Sequence, residues 1–360
     1  MAKRARTTRV GISDVATKAG VSLATVSRVM NGNLSVDPQI AKRVRATAAE
    51  LKYLPNPTGR NLARGKTDTI GVVVPDLGNP TFQAVLRGVS RAAAQDGYRV
   101  LIADSSEVSS EEAILAGEAR RRCDGVVLCA PRMGAAELEE LAPSLHPMVL
   151  VNRATNATGS PSVMVDYGKG IQDLAAHLVE LGHTRLAYVA GPASSASHGL
   201  RLAGLETFKR SHPGIELKVL PNGSTFEDGY NSADAVVASG ASGIMAFNDL
   251  TAMGLLSSLN ERGIRVPADM SVTGFDDIPF ARYTTPALTT AAVPIVDVGE
   301  QAWRQMRELL NGTAGGGTSA TPGQAGSEVA AGTTAAPTTS IFTPTLVVRG
   351  STAAPPATGR

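Results

Sequence analysis

Apolar residues recur along this chain with two different periods. From Ile12 to Leu51 the spacing is helical. Ile12, Val15, Ala16 and Ala19 predict one short helix that stops at Gly20, and Val26, Val29 and Met30 line one face of a second. Ser22 is placed to cap the second helix, with Val21 plugging the angle between the two. Asp37-Pro38 offers an N-cap followed by a first-turn proline, which opens a third helix through Ile40, Val44, Ala48 and Leu51. From Thr69 onward the pattern changes to short apolar runs. TIGVVV, YRVLIA, DGVVLC and PMVLV read as buried strands, separated by helical stretches at Phe82 to Gln95, Glu111 to Arg122 and Glu137 to Leu141. RLAYVA, Leu217 to Leu220, GIMAF and MSVTGF form a second such series. The expected fold is therefore an all-α helix-turn-helix head followed by an α/β body of two parallel-sheet subdomains, with a crevice at the carboxyl ends of the strands.

Charge changes the picture of the head. Residues 1 to 66 hold 13 Lys or Arg against Asp14, Asp37 and Glu50, a net of +10, so the rest of the chain sits at −8 although the whole carries only +2. That is a nucleic-acid face on a mildly acidic body. The side of the second helix opposite its apolar stripe carries Leu23, Ala24, Thr25, Ser27 and Arg28, preceded by Ser22 and followed by Asn31. Hydroxyls and N-terminal amides there can hold phosphates, and Arg28 can donate two hydrogen bonds to a guanine edge in a major groove. The plainer alternative is a small helical bundle with no such contact. Residues 1 to 9 form a basic tail that either adds phosphate contacts or is simply solvated.

The remaining composition excludes several classes. No run approaches the ~18 apolar residues of a membrane span, and the basic start is not followed by an apolar segment and cleavage site, so the chain is expected in the cytoplasm. Cys123 and Cys129 flank a buried strand and read as free thiols. Asp276 and Asp277 are adjacent carboxylates and five histidines are available, yet neighbours along a strand point apart. No histidine pair has metal spacing, and the usual hydrolase, metalloprotease and phosphate-loop patterns are absent. Neither catalysis nor a metal or cofactor is expected. A secreted solute-binding protein would match the body but not the head.

Eight strings in order carry a resemblance: ISDVATKAGVSLATVSRVMNG, LKYLPNPTGRNLARGKT, TIGVVVPDLGNPTF, LGHTRLAYVAGP, FNDLTAMG, VPADMSVTGFDDIP, TPALTT and LVVRGST. From Ile12 to Thr352, apart from one insert, the chain resembles the bacterial regulators of the lactose-repressor and galactose-repressor (LacI/GalR) family. The resemblance implies a periplasmic-binding-protein-like body, a homodimer on an approximately palindromic double-stranded operator, and a repressor whose DNA affinity is set by a small molecule, a sugar or sugar derivative, held between the lobes. It implies domains at 10–53 for the head, 54–66 for a hinge and 67–352 for the effector-binding and dimerisation domain, with a flexible tail at 353–360. Leu62 matches the family leucine that wedges into the minor groove, with Arg60 beside the backbone. Pro57 and Gly59 stand where family hinges commonly carry alanines, so the hinge is expected to be disordered without DNA.

The resemblance also assigns the cleft. Asn79 and Phe82 follow the first strand; Ser197 and Arg201 start the helix after GPASSASHG; Asn248 and Asp276 end later strands, and Phe226 is expected to close one side. Ser195 stands where purine-responsive members carry an arginine, which favours a sugar. Asp249 is expected to N-cap the helix after GIMAF. Residues 311 to 340 have almost no large apolar side chains and are expected to be a disordered insert, with Phe342 to Arg349 as the final strand. A DNA-binding protein with a vestigial pocket, governed by another protein, remains an alternative.

Overall fold

The computed structural model describes residues 10–30, 35–53, 65–154, 158–314 and 338–356. The chain divides into two compact units, 1–67 and 68–360. The first holds α1 (Ile12–Ala19), α2 (Leu23–Met30) and α3 (Pro38–Glu50). Asp14 caps α1 by accepting from the Gly11 N–H at 2.8 Å, and Gly20 ends it in the left-handed region at φ 64°, where a side chain would be strained. Ser22 Oγ accepts from the Thr25 N–H at 3.1 Å to start α2, and Asp37 accepts from the Gln39 and Ile40 amides to start α3. Val15, Val26 and Val44, one from each helix, are fully buried at the centre, and Val21 packs against this core. The three helices, the Gly20 stop and the Ser22 and Asp37 caps are those that the sequence predicts, while the Asp14 cap is additional and Leu51 follows the end of α3. The basic tail, Asn31 and the hinge residues Arg60 and Leu62 lie outside the described residues.

The second unit has two lobes. In the first, β1 (Thr69–Val74), β2 (Arg99–Asp104), β3 (Gly125–Cys129), β4 (Met148–Val151), β5 (Ser162–Val165) and β11 (Thr339–Phe342) form one parallel sheet in the order β11-β5-β4-β3-β1-β2. In the second, β6 (Arg185–Val189), β7 (Glu216–Leu220), β8 (Gly243–Ala246), β9 (Ser271–Asp276), β10 (Thr289–Ala292) and β12 (Thr345–Val347) take the matching order β12-β10-β9-β8-β6-β7. There β12 alone runs antiparallel. Runs such as GVVLC and GIMA are buried at every position, as strands covered on both faces by helices must be. The covering helices are α4 (Pro80–Gln95), α5 (Ser109–Arg122), α6 (Ala135–Leu145) and α12 (Ile295–Ala314) on the first lobe, and α7 (Tyr167–Glu180), α8 (Ala196–Ser211), α9 (Phe226–Asn231), α10 (Ala233–Ser239) and α11 (Asp249–Glu261) on the second.

The chain crosses between lobes three times, from β5 to α7, from β10 to α12 and from β11 to β12. The last crossing corrects the expected single strand at Phe342 to Arg349, whose residues are divided between the two sheets. The limits of the insert also change. Residues 311–314 continue α12, and 338–340 lead into β11 through hydrogen bonds that composition does not reveal: Ser162 N–H to Thr338 O at 3.0 Å, Ser162 and Thr339 hydroxyls at 3.0 Å, and Gln305 Nε2 to Ser340 Oγ at 3.2 Å. Residues 315–337 lie outside the described residues. The expected flexible tail is anchored at its start, since Ala353 donates to Ser271 Oγ and its carbonyl accepts from Ser271 Oγ, both at 3.0 Å, beside the buried His183.

Helices α4 and α12 pack at glycines. A Cβ on Gly88 would overlap the Val296 carbonyl oxygen, and one on Gly299 would overlap that of Val85. Gly88→Ala gains ~1 kcal/mol of helix propensity yet should destabilise the body by about 1–3 kcal/mol or more, because two backbones must separate. Urea denaturation reads this directly, and an unchanged midpoint would mean that the helices part without cost.

Candidate functional site

The carboxyl ends of strands from both lobes face one chamber, the place where open α/β sheets bind ligands. Beyond β1, Asn79 caps α4 by accepting from the Thr81 N–H at 2.9 Å, and Thr81 and Phe82 follow in the first turn. Ala130 and Arg132 come after β3, Asn152 after β4 and Tyr167 after β5. The second lobe contributes Ser195, Ser197 and Arg201 beyond β6, Ser224 beyond β7, Phe247 and Asn248 beyond β8, and Asp276 at the end of β9. The enclosed volume is only about 30 Å³, room for a water or two.

Arg201 is the centre of the chamber wall. Its guanidinium carbon lies 4.2 Å from the Tyr167 ring centre, 4.5 Å from Phe247 and 4.1 Å from Phe275. Three ring faces attract a cation that is only 1% exposed. One fork nitrogen donates to the Ser197 carbonyl at 3.2 Å, while the buried Nε has no hydrogen-bond partner. A buried unpaired donor costs ~1–3 kcal/mol, so this group is ready for an acceptor.

Asp276 is also buried, and that burial raises its carboxyl to about 6 although Arg201 and the Thr81 hydroxyl both favour ionisation. Asp276 and Asp277 stand at φ 104° and 58°, a strain of order 1–3 kcal/mol each that the surroundings must hold. Asp249 does part of this, accepting from the Ile278 N–H at 2.8 Å and the Thr290 hydroxyl at 2.7 Å, and Arg349 grips Asp277 at 2.6 Å. Burial also pushes the Asp249 carboxyl well above its ordinary value.

Six of the seven expected cleft residues meet here: Asn79, Phe82, Ser197, Arg201, Asn248 and Asp276. Phe226 does not. It is the first residue of α9, nearly half exposed, in a helix that the Thr225 and Asp228 side chains cap. Ser224, two residues earlier, lines the chamber instead. Asp249 is not the N-cap of α11; Asn248 is, through Thr251 N–H at 2.8 Å, and its amide donates to Ser224 O at 2.9 Å. Both cleft asparagines thus serve the scaffold as well as the chamber. Sequence reading missed Thr81, Arg132, Asn152, Tyr167 and Phe247. Arg132 carried a signal, a charged residue just past an all-buried strand, and the structure pairs it with both Glu107 oxygens at 2.5 and 2.8 Å. Tyr167 was hidden because β5 was not recognised.

On the head, Arg28 and Ala24 are exposed, Leu23 is 52% exposed, and Thr25 and Ser27 are half-buried. The Ser22 and Thr25 hydroxyls lie 2.9 Å apart at the amino end of α2. This is a short helix whose outward side combines a cation, hydroxyls and an exposed leucine.

The raised Asp276 carboxyl fixes a sign. Protonated in the folded state below about 6 but in the unfolded chain only near 3.9, it makes folding costlier as pH rises through that window. Asp276→Asn should therefore be more stable than the parent above pH 6, by roughly 3 kcal/mol, and the gap should shrink towards pH 4. Melting curves of both proteins between pH 4 and 8 measure it, and a gap independent of pH would remove the ionised carboxylate from the account.

Residues 11–56 match the family model described as bacterial regulatory proteins, lacI family, and residues 175–352 match the periplasmic binding protein-like domain. Catabolite control protein A of Streptococcus mutans serotype c (strain ATCC 700610 / UA159) is 33% identical over 306 residues, 84% of this chain and 92% of the relative. Among solved structures, the lac repressor dimer bound to operator and an anti-inducer aligns with a TM-score of 0.80 at 25% identity, covering 96% of this chain and 99% of that one. The regulator CelR in complex with cellobiose aligns with a TM-score of 0.67 at 25% identity over 95% of this chain and 100% of that one. With a capped helix-turn-helix, two matching lobes and relatives that align along nearly the whole chain, the protein belongs to the lacI family of bacterial regulatory proteins and is a DNA-binding transcriptional regulator rather than an enzyme.

Proposed function

We propose that this regulator is a cytoplasmic repressor whose operator affinity is set by a neutral, polyhydroxylated small molecule, a sugar or sugar derivative, bound in the inter-lobe chamber. The observation that carries this reading is Arg201, caged by three rings, with an unpaired buried Nε, in the same closed chamber as the Asp276 carboxyl. The lining holds two guanidinium groups, of which Arg132 is already paired with Glu107; that leaves Arg201, one carboxyl group and several serine and asparagine groups, which suit a ligand that both donates and accepts hydrogen bonds without net charge. Phe82 supplies a flat apolar wall against which a ring packs. The lac repressor and CelR structures, which hold an anti-inducer and cellobiose, are consistent with that class.

On the DNA side, the proposal gives base reading to Arg28 and phosphate or groove contact to Ser22, Leu23, Ala24, Thr25 and Ser27, with Asn31, Arg60 and Leu62 adding contacts from beyond the described residues. A homodimer would present two heads to two half-sites. Ligand that prefers one closure of the lobes would change the spacing of the two hinges and so the operator affinity.

A thermal-shift panel of sugars, sugar phosphates, polyols and nucleosides tests the chamber. A ligand at a hundred times its Kd adds ~2.7 kcal/mol to the folded state, so a hit should raise the melting temperature of the parent by a few degrees and leave Asp276→Asn unmoved. Equal shifts in both would place the ligand elsewhere. On operators selected from a random duplex library, Arg28→Ala should relax base preference by ~1–3 kcal/mol per altered contact, and parent affinity should fall steeply with salt. Undiminished preference in Arg28→Ala would mean that α2 docks differently.

A further inference from the structure

Thr81 and Asp276 belong to opposite lobes, and they meet. The Thr81 hydroxyl, in the first turn of α4, donates to Asp276 Oδ2 at the end of β9 at 2.8 Å, and both groups are buried. Two cavities adjoin this pair. On one side is the chamber of about 30 Å³ that contains Arg201; on the other is a groove of about 410 Å³ walled by Pro80, Ile278, Phe280 and Pro294 among others. Thr81 and Asp276 are the residues that line both.

We propose that the Thr81–Asp276 hydrogen bond is the gate of the effector chamber: it holds the lobes closed without ligand, and breaking it joins the chamber to the outer groove. The proposal rests on the effector reading only for what passes through the gate, not for the gate itself. The chamber alone is far below the ~300 Å³ of an ordinary ligand pocket, whereas chamber and groove together are within that range. The bond also engages the carboxyl group that a polyhydroxylated ligand would use, so ligand and Thr81 compete for it. Without the hydroxyl, Asp276 would keep its burial and lose a donor, and a buried carboxylate with fewer partners is driven towards water. Parting the lobes is the movement that brings water to it.

The test needs no ligand. Spin labels on Glu111→Cys and Glu227→Cys, exposed positions near the chamber ends of α5 and α9, report the lobe separation by pulsed electron resonance in the full-length protein. The native thiols of Cys123 and Cys129 are buried and pushed up to about 11 and about 12, so they will not compete for the label. The parent should give a short, narrow distance distribution. Thr81→Val, close in shape but without the hydroxyl, should move it to longer distances, and Thr81→Ser should restore the parent distribution, with circular dichroism showing all three folded. A Thr81→Val distribution matching the parent would overturn the gate, and so would a Thr81→Ser protein as open as Thr81→Val, because the hydroxyl would then be insufficient to hold the lobes closed. A ligand panel without hits would overturn the effector reading and leave this result standing.

Discussion

A guanidinium and a carboxyl group share one small buried chamber, and much of the body is arranged to make that tolerable. Neither group belongs inside a protein on its own account. Arg201 is accepted because three aromatic faces and a carbonyl surround it. Asp276 is accepted because a hydroxyl reaches it from the other lobe. The strained backbone that aims it is tied down by Asp249 and Arg349. The chamber keeps polarity that its own residues do not fully satisfy, which is the condition for binding something else.

The two sheets make this arrangement switchable. Their strands end at a common crevice, and three chain crossings join them. Within each lobe the packing is close: α4 and α12 approach so nearly at Gly88 and Gly299 that neither position leaves room for a methyl group. Close packing inside the lobes favours movement of whole lobes over deformation within either one, against an apolar cluster that both lobes share.

Much of this was legible in the sequence, for physical reasons that differ from part to part. The head could be read because helix caps are local: Ser22, Asp37 and Gly20 act within a few residues of themselves. The central strands could be read because burial on both faces demands unbroken apolar runs. Short strands such as β5 and β10 escaped because their stability comes from neighbours far along the chain. The same holds for β11, which polar hydrogen bonds to Ser162 and Gln305 hold in place at the edge of a segment that composition marked as structureless. Within the chamber, family strings located Arg201, Asn248 and Asp276, whereas Thr81 and Tyr167 gain their meaning from partners 195 and 34 residues away along the chain. Phe226 was misplaced because an aromatic near a predicted pocket gives no hint of which way its helix lies.

On the proposed function, lobe closure couples the chamber to the DNA-binding head. The direct measurement is calorimetric titration of an effector into the free protein and into the protein saturated with operator. Coupling is reciprocal, so effector affinity must change on operator binding by the same factor by which effector changes operator affinity. The expected shift is roughly 5- to 150-fold, equal in the two directions. Equal effector affinities for free and operator-bound protein would contradict it.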